Sequence, residues 1–181
     1  MELLKPIRWT IALVLAALSP AGAQSATEYE IKAAFLYRFA SFVEWPPEES
    51  EAPVTICIAG DNPFGGALER VLHGKTLNGR EFIVRALNGG GPPGDCRILF
   101  VSQSERKRLK PVLERYHGRR VLTVGDVPGF CETGGVVNFE VVNDRVQFEI
   151  NPDAAGRAGL QLSSRLLSLA RIVRDPGAPG R

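Results

Sequence analysis

Between Thr27 and Pro47 (TEYEIKAAFLYRFASFVEWPP) apolar residues recur at helical spacing. At 100° per residue, Ile31, Phe35, Leu36, Phe39, Phe42 and Val43 fall within an arc of about 140°, the width of a core-facing stripe. Glu30, Tyr37, Arg38, Ser41 and Glu44 lie on the other side. Lys32 intrudes on the stripe near its start, where a long stem can snorkel to water. Thr27 followed by Glu30 is a capping-box pattern for the helix start. Pro46-Pro47 stops the run, because proline lacks an N–H and pushes the preceding residue out of helical geometry. The spacing predicts a helix against which the rest of the chain folds.

Downstream the period changes. Val54–Ala59 is a short apolar run, read as a buried strand. Asp61 or Asn62 caps a helix that ends near His73-Gly74, with Pro63 in its first turn. Gly74–Arg80 reads as a loop or turn, Glu81–Leu87 as an alternating strand, and the breaker-rich Asn88–Asp95 as a surface loop. Cys96–Val101 is another apolar strand. Ser102 or Ser104 caps a basic helix to about Tyr116, kinked or broken at Pro111. Arg120–Val124 is a strand and Gly125–Gly135 a turn-rich loop. Val136–Val142 and Arg145–Ile150 form a hairpin about Asn143-Asp144. Val146, Phe148 and Ile150 share one face of its second strand, and Arg145, Gln147 and Glu149 the other. Asn151–Gly159 is a short helix, Leu160–Ser163 is extended, and a last helix spans Arg165–Val173 after Ser163 or Ser164. Asp175–Arg181 is expected to be a disordered tail. This order predicts an α/β fold: a single mixed sheet with helices packed on its faces, an αβα-like sandwich.

The N-terminus lies outside that pattern. Lys5 and Arg8 precede the apolar Trp9–Leu18, and a small-x-small site ends at Ala23. This reads as a secretory signal peptide over residues 1–23, cleaved after Ala23. Its apolar core falls well short of the roughly 20 residues that span a bilayer. Residues 24–174 then form one α/β domain of ordinary size. The chain's net charge of +2 drops by one when Glu2, Lys5 and Arg8 are removed. Near-neutrality gives no global case for nucleic acid or a membrane surface as partner.

Export makes the cysteines informative. Cys57 and Cys96 both sit in strand-like runs and are expected to pair, leaving Cys131 as a free thiol; three buried thiols is the alternative. Two histidines, His73 and His117, both at expected helix ends, and the absence of CxxC or HExxH give no metal site. GDNPFGG and GKTLNGR lack the glycine spacing of phosphate loops. Serines 163 and 164 have no GxSxG context. Cys131 is a candidate nucleophile, but no histidine is near it in sequence. Two surface features remain as partner-binding candidates. Tyr37 and Arg38 lie on the polar side of the first helix, where an aromatic residue can anchor a partner or pack under a loop. Glu149, Asp153 and Arg157 gather at a strand end and short helix, although Asp153 and Arg157 also have the spacing of an ordinary i,i+4 ion pair.

Several stretches together resemble one family. EYEIKAAFLYRFASFVEWP, ICIAGDNPFG, GREFIVRAL, CRILFVSQSE, VLTVGDVPGF, GGVVNFEVVNDRVQFEIN and SSRLLSLARIV follow the order and spacing of the YfiR family. The resemblance implies a small, soluble, non-enzymatic periplasmic protein without cofactors. Such proteins repress an inner-membrane diguanylate cyclase by binding its periplasmic sensor region, which keeps cyclic-di-GMP low and limits biofilm formation. An outer-membrane lipoprotein can sequester the repressor, and dimers are typical. Cys57 and Cys96 fall where these proteins form a disulfide. Cys131 matches the first cysteine of a second pair found in some members, but the position seven residues on is Asn138, so that bridge is absent. Two other function classes stand beside this one: a small-molecule-binding module feeding a sensor kinase or transport system, and a thiol enzyme built on Cys131.

Overall fold

The computed structural model describes residues 21–45, 52–87 and 95–175, with side chains from residue 27 onward. The expected signal peptide therefore lies outside the described residues except for 21–23, as do Pro46-Pro47 and most of the 88–95 loop. The first helix, α1 (Ala21–Phe42), starts six residues before Thr27, so the Thr27/Glu30 pair is not its cap. No proline interrupts residues 21–26, and alanine, the strongest helix former, makes up half of them. The helix ends at Phe42. Trp45 Nε1 donates to the Ala40 carbonyl at 3.2 Å, satisfying one of its open C-terminal acceptors. Val43–Glu44 (β1) then pairs antiparallel with Gln161–Leu162.

Val54–Ala59 (β2) leads through α2 (Ala67–Leu72) to a hairpin of Thr76–Leu77 (β3) and Arg80–Leu87 (β4). The loop or turn expected over Gly74–Arg80 thus holds a turn, but also the short strand β3 that the pattern did not show. The hairpin's turn is Asn78-Gly79, both at positive φ (52° and 79°), the strongest short-range hairpin signal. Cys96–Val101 (β5) enters a 3-10 segment, Gln103–Arg108, followed by α3 (Leu109–Glu114). The break falls before Leu109. Pro111 is no kink, since it occupies the first turn of α3, where an N–H has no helical partner anyway. Leu122–Gly125 (β6), Val137–Val142 (β7) and Arg145–Ile150 (β8) follow, the last two joined at Asn143-Asp144 with φ of 51° and 58°. After α4 (Pro152–Arg157) and Gln161–Leu162 (β9), α5 (Ser164–Leu167) lasts a single turn. The long final helix does not form. Arg171–Ile172 (β10) instead pairs parallel with β8, and the Val173 N–H bonds the Ile150 carbonyl at 2.8 Å. An open strand edge recruits the segment more strongly than its helical pattern does.

Eight strands form one mixed sheet in the order β10-β8-β7-β6-β5-β2-β4-β3. The five from β7 to β4 are mutually parallel. This agrees with the α/β expectation. One face is covered by α1, α2, α4 and α5, with Leu36, Phe39, Ile56, Ile58, Phe100 and Ile150 at its centre. Phe35, Phe39, Phe139 and Phe148 stack there with ring centroids 5.1–6.1 Å apart. The opposite face is covered by the 3-10 segment, α3 and the loop carrying Phe130. Phe130 lies between Gly125 and Gly135, where an added Cβ would come within 2.4 and 2.1 Å of its ring. Only glycine leaves room for it.

The rotation of α1 departs from the apolar arc. Ile31 is 42% exposed, whereas Lys32 is 2% exposed and Ala33 and Ala40 are buried. Lys32 does not snorkel. Its ammonium reaches Asp126 Oδ2 at 3.1 Å, just past β6, and also pairs with Glu28. Tyr29 Oη donates to the same Oδ2 at 2.6 Å.

A β-bulge places the disulfide. Thr55 pairs with Cys96, but Ile56 pairs with Ile98, so Arg97 is an extra residue. The bulge turns Cys96 onto the face of Cys57. The two are bonded, with Cα atoms 5.7 Å apart and a separation of 39 positions in sequence. Replacing both by alanine should lower stability by about 4 kcal/mol on the loop-closure estimate, measured by denaturant unfolding without reductant.

Candidate functional site

Glu149, Asp153 and Arg157 are brought together by one feature absent from the sequence reading, the folding back of residues 171–175. Glu149 is the penultimate residue of β8, with its side chain 1% exposed. Its Oε1 accepts from Asn138 Nδ2 at 3.1 Å, and Asn138 Oδ1 accepts from the Val127 N–H at 3.1 Å. Arg171 closes the other side, bonding Glu149 Oε2 and reaching Glu140 at 3.0 Å. Burial pushes the Glu149 carboxyl above its ordinary range. Asn138 and Arg171 oppose that shift, while Glu140 and Glu132 add to it.

One turn further on, Asn151 caps α4 by accepting from the Ala154 N–H at 2.9 Å. Its amide donates to the Cys131 carbonyl at 2.9 Å and to Asp175 at 2.8 Å. Arg157 pairs with Asp175, and Arg174 pairs with Asp153 at 2.7 Å. The Asp153–Arg157 helix pair is therefore replaced by two longer-range ones. Asp175 belongs to this clamp and not to a disordered tail. The C-terminal residues Arg171, Arg174 and Asp175 were missed because their stretch read as helix and tail. Nothing in the local pattern links them to Glu140, Glu149 or Asp153, which lie at least 21 positions away.

What the clamp shows to solvent is mainly guanidinium. The Arg157, Arg171 and Arg174 side chains are 38%, 58% and 59% exposed, whereas Glu149 is out of reach of any partner. As contact residues, Glu149 thus acts through Arg171, which with Arg157 and Arg174 forms the accessible part.

Tyr37 and Arg38 are elsewhere. Tyr37 is half-buried, its ring edge-on to Phe82 of β4 at 5.7 Å, with Lys75 Nζ 5.8 Å from its centroid. Arg38 is exposed beside it. Both line a shallow groove of about 370 Å³ between α1 and α2. Four strands separate β4 from β8 in the sheet. At about 4.8 Å per step the two candidates are roughly 24 Å apart and do not form one site.

Cys131 is fully buried. Its thiol donates to the Val136 and Glu149 carbonyls, both at 3.7 Å. Burial, with the nearby Glu149 and Glu132 charges, pushes its pKa upward, so the thiol keeps its proton. That is the opposite of an activated nucleophile. Among the described residues no group of three His, Cys, Asp or Glu is placed to hold a metal.

Two outcomes follow from this geometry. A carboxyl whose pKa is raised in the fold above 4.5 binds its proton more tightly folded than unfolded. Its contribution to stability is present at low pH and is lost as pH rises through the folded value. The stability of the wild type relative to Glu149→Gln should therefore fall as pH rises above 4.5, as measured by denaturant melts at a series of pH values. Cys131 should resist iodoacetamide in the native protein and become the one thiol alkylated in denaturant without reductant, as read by intact mass.

Among curated proteins none matches this chain. A solved structure, that of a conserved domain protein from Vibrio cholerae O1 biovar El Tor strain N16961, aligns with a TM-score of 0.54 at 8% identity. The alignment covers 82% of this chain, which spans only 60% of that protein. This likeness shows a shared fold alone. The family model described as YfiR/HmsC-like matches residues 29–171. The match runs from Tyr29, whose hydroxyl meets Asp126, to Arg171 in the C-terminal clamp, and so takes in α1, the sheet and the bridged cysteines. The chain belongs to the YfiR/HmsC-like family.

Proposed function

We propose that this protein is a non-enzymatic periplasmic regulator of diguanylate cyclase signalling. It binds the periplasmic sensor region of an inner-membrane diguanylate cyclase, lowers cyclic-di-GMP and limits biofilm formation. Family membership over residues 29–171 carries this reading. The Cys57–Cys96 bridge suits an oxidising compartment. Among the described residues no helix is long and apolar enough to cross a membrane. A thiol enzyme gains no support from a cysteine that is buried and holds its proton.

Repression of this kind is stoichiometric. The regulator must prefer the inactive cyclase conformation, since equal affinity for both states shifts nothing. Turning a cyclase from almost wholly active to almost wholly inactive needs roughly a 10⁴-fold preference. An outer-membrane lipoprotein that sequesters the regulator would restore output, and a homodimer would present the contact twice. The exposed Arg157 and Arg174, positioned by the C-terminal clamp, are the first candidates for the contact. The Tyr37–Arg38 groove is the second.

Deleting the gene should raise cellular cyclic-di-GMP, measured by mass spectrometry, and complementation should restore it; unchanged levels would count against a cyclase partner. Arg157→Glu should then fail to complement while Arg38→Glu succeeds. The reverse result assigns the contact to the α1–α2 groove.

A further inference from the structure

A second site lies at the other end of the fold's logic, where the direction of winding changes. The chain leaves β2 for α2 on one face of the sheet and leaves β5 for α3 on the other. Neighbouring parallel strands whose connections part in this way leave a crevice beyond their carboxyl ends, the usual ligand position in open α/β sheets. Beside that crevice, past the ends of β2 and β4 and under α3, lies a cavity of about 110 Å³. Its apolar wall is Ala59, Leu87, Val112 and the buried Tyr116, and its mouth carries Arg108 and Arg115. The volume approaches that of cavities of about 150 Å³ that take up benzene.

Three further features give the cavity a polarity. Seven of the fifteen residues 106–120 are Lys or Arg and all seven are exposed, Arg108 and Arg115 of the lining among them, in a chain of net charge +2. Glu105, on the wall, is 7% exposed. Its Oε1 takes Arg108 at 2.7 Å, and its Oε2 is buried without a hydrogen-bond partner. Gly60 closes the floor at φ 86°, and a Cβ there would come within 2.3 Å of Ser104 Oγ and 2.9 Å of Glu105 Cγ. The backbone is thus brought close to the Ser102–Ser104–Glu105 corner, leaving the remaining space to the cavity.

We propose that this cavity binds a small organic anion, a carboxylate carried on one ring or a short branched chain. The apolar body fills the slot against Val112 and Tyr116. The carboxylate lies at the mouth between Arg108 and Arg115, where charge-assisted hydrogen bonds hold it. The site is distinct from the C-terminal clamp and does not depend on the regulatory reading. If both hold, it supplies a position at which a periplasmic metabolite can bias the regulator.

The test uses the purified full-length chain after signal cleavage, with benzoate as probe and backbone amide NMR as readout. Benzoate should shift amides around residues 59–60 and 105–116, with a Kd on the order of 1 mM for so small a ligand. Benzyl alcohol, which lacks the charge, and inorganic phosphate, which lacks the body, should each bind about tenfold more weakly or not at all. Val112→Trp fills the slot at a half-exposed position, and Arg108→Gln/Arg115→Gln removes the clamp. Each variant should lose at least about tenfold in benzoate affinity while keeping the native amide spectrum elsewhere. The proposal is overturned if benzoate shifts nothing up to about 20 mM, if Val112→Trp binds it as well as the wild type, or if phosphate shifts the same amides equally.

Discussion

The packing of α1 across the sheet is the constraint on which the rest depends, and a buried ion pair sets its rotation. Phe39, Leu36 and Ala40 supply the apolar contact. An apolar stripe alone tolerates rotation by a residue in either direction. Lys32 against Asp126 does not, because a charge buried without its partner costs about 3–5 kcal/mol. The ammonium, carried between Glu28 and Asp126 and 4.4 Å from the Tyr29 centroid, pins the helix to the end of β6. Ile31 is turned outward as a result.

The two faces of the sheet are then used differently. The α1 face is the main core, rich in aromatic rings. The opposite face is thinner, covered by a broken helix and stapled by the disulfide between adjacent parallel strands β2 and β5. The bulge at Arg97 lets both cysteines meet on that face, and it leaves Arg97 stacked over Trp45 with 4.5 Å between guanidinium carbon and ring centroid. Covering that side with a short, basic, proline-bearing helix leaves a gap at the carboxyl ends of the strands.

The C-terminal segment makes a separate arrangement at the far edge. β10 completes the sheet beside β8, and its flanking charges answer carboxylates that β7, β8 and α4 had already placed. Exposed ion pairs contribute little to stability singly. Glu149 is the exception, since it is buried and Arg171 is its cationic cover. The clamp therefore orders three guanidiniums at this edge of the sheet, each against a carboxylate. A partner meeting this edge encounters preorganised donors, which lowers the entropy lost on binding.

Local pattern determined much of this protein. Val54–Ala59, Cys96–Val101 and Arg145–Ile150 were legible to the residue, because a continuous apolar run or strict alternation between breakers has few other uses. The Ser163 cap and the Asn143-Asp144 turn were legible for similar reasons of local chemistry, and the pairing of Cys57 with Cys96 from the expected export and the family resemblance. Tertiary structure decided what depends on a partner distant in sequence. Lys32 reads as a surface residue until Asp126, 94 positions away, is beside it. Glu149 reads as the solvent side of a strand until Arg171 and Asn138 enclose it. Residues 165–173 read as helix until the free edge of β8 offers hydrogen bonds to an extended chain. Propensity and periodicity act over a turn or two, whereas buried charge and open strand edges are satisfied by whatever the fold brings near. The C-terminal clamp rests on contacts of that second kind.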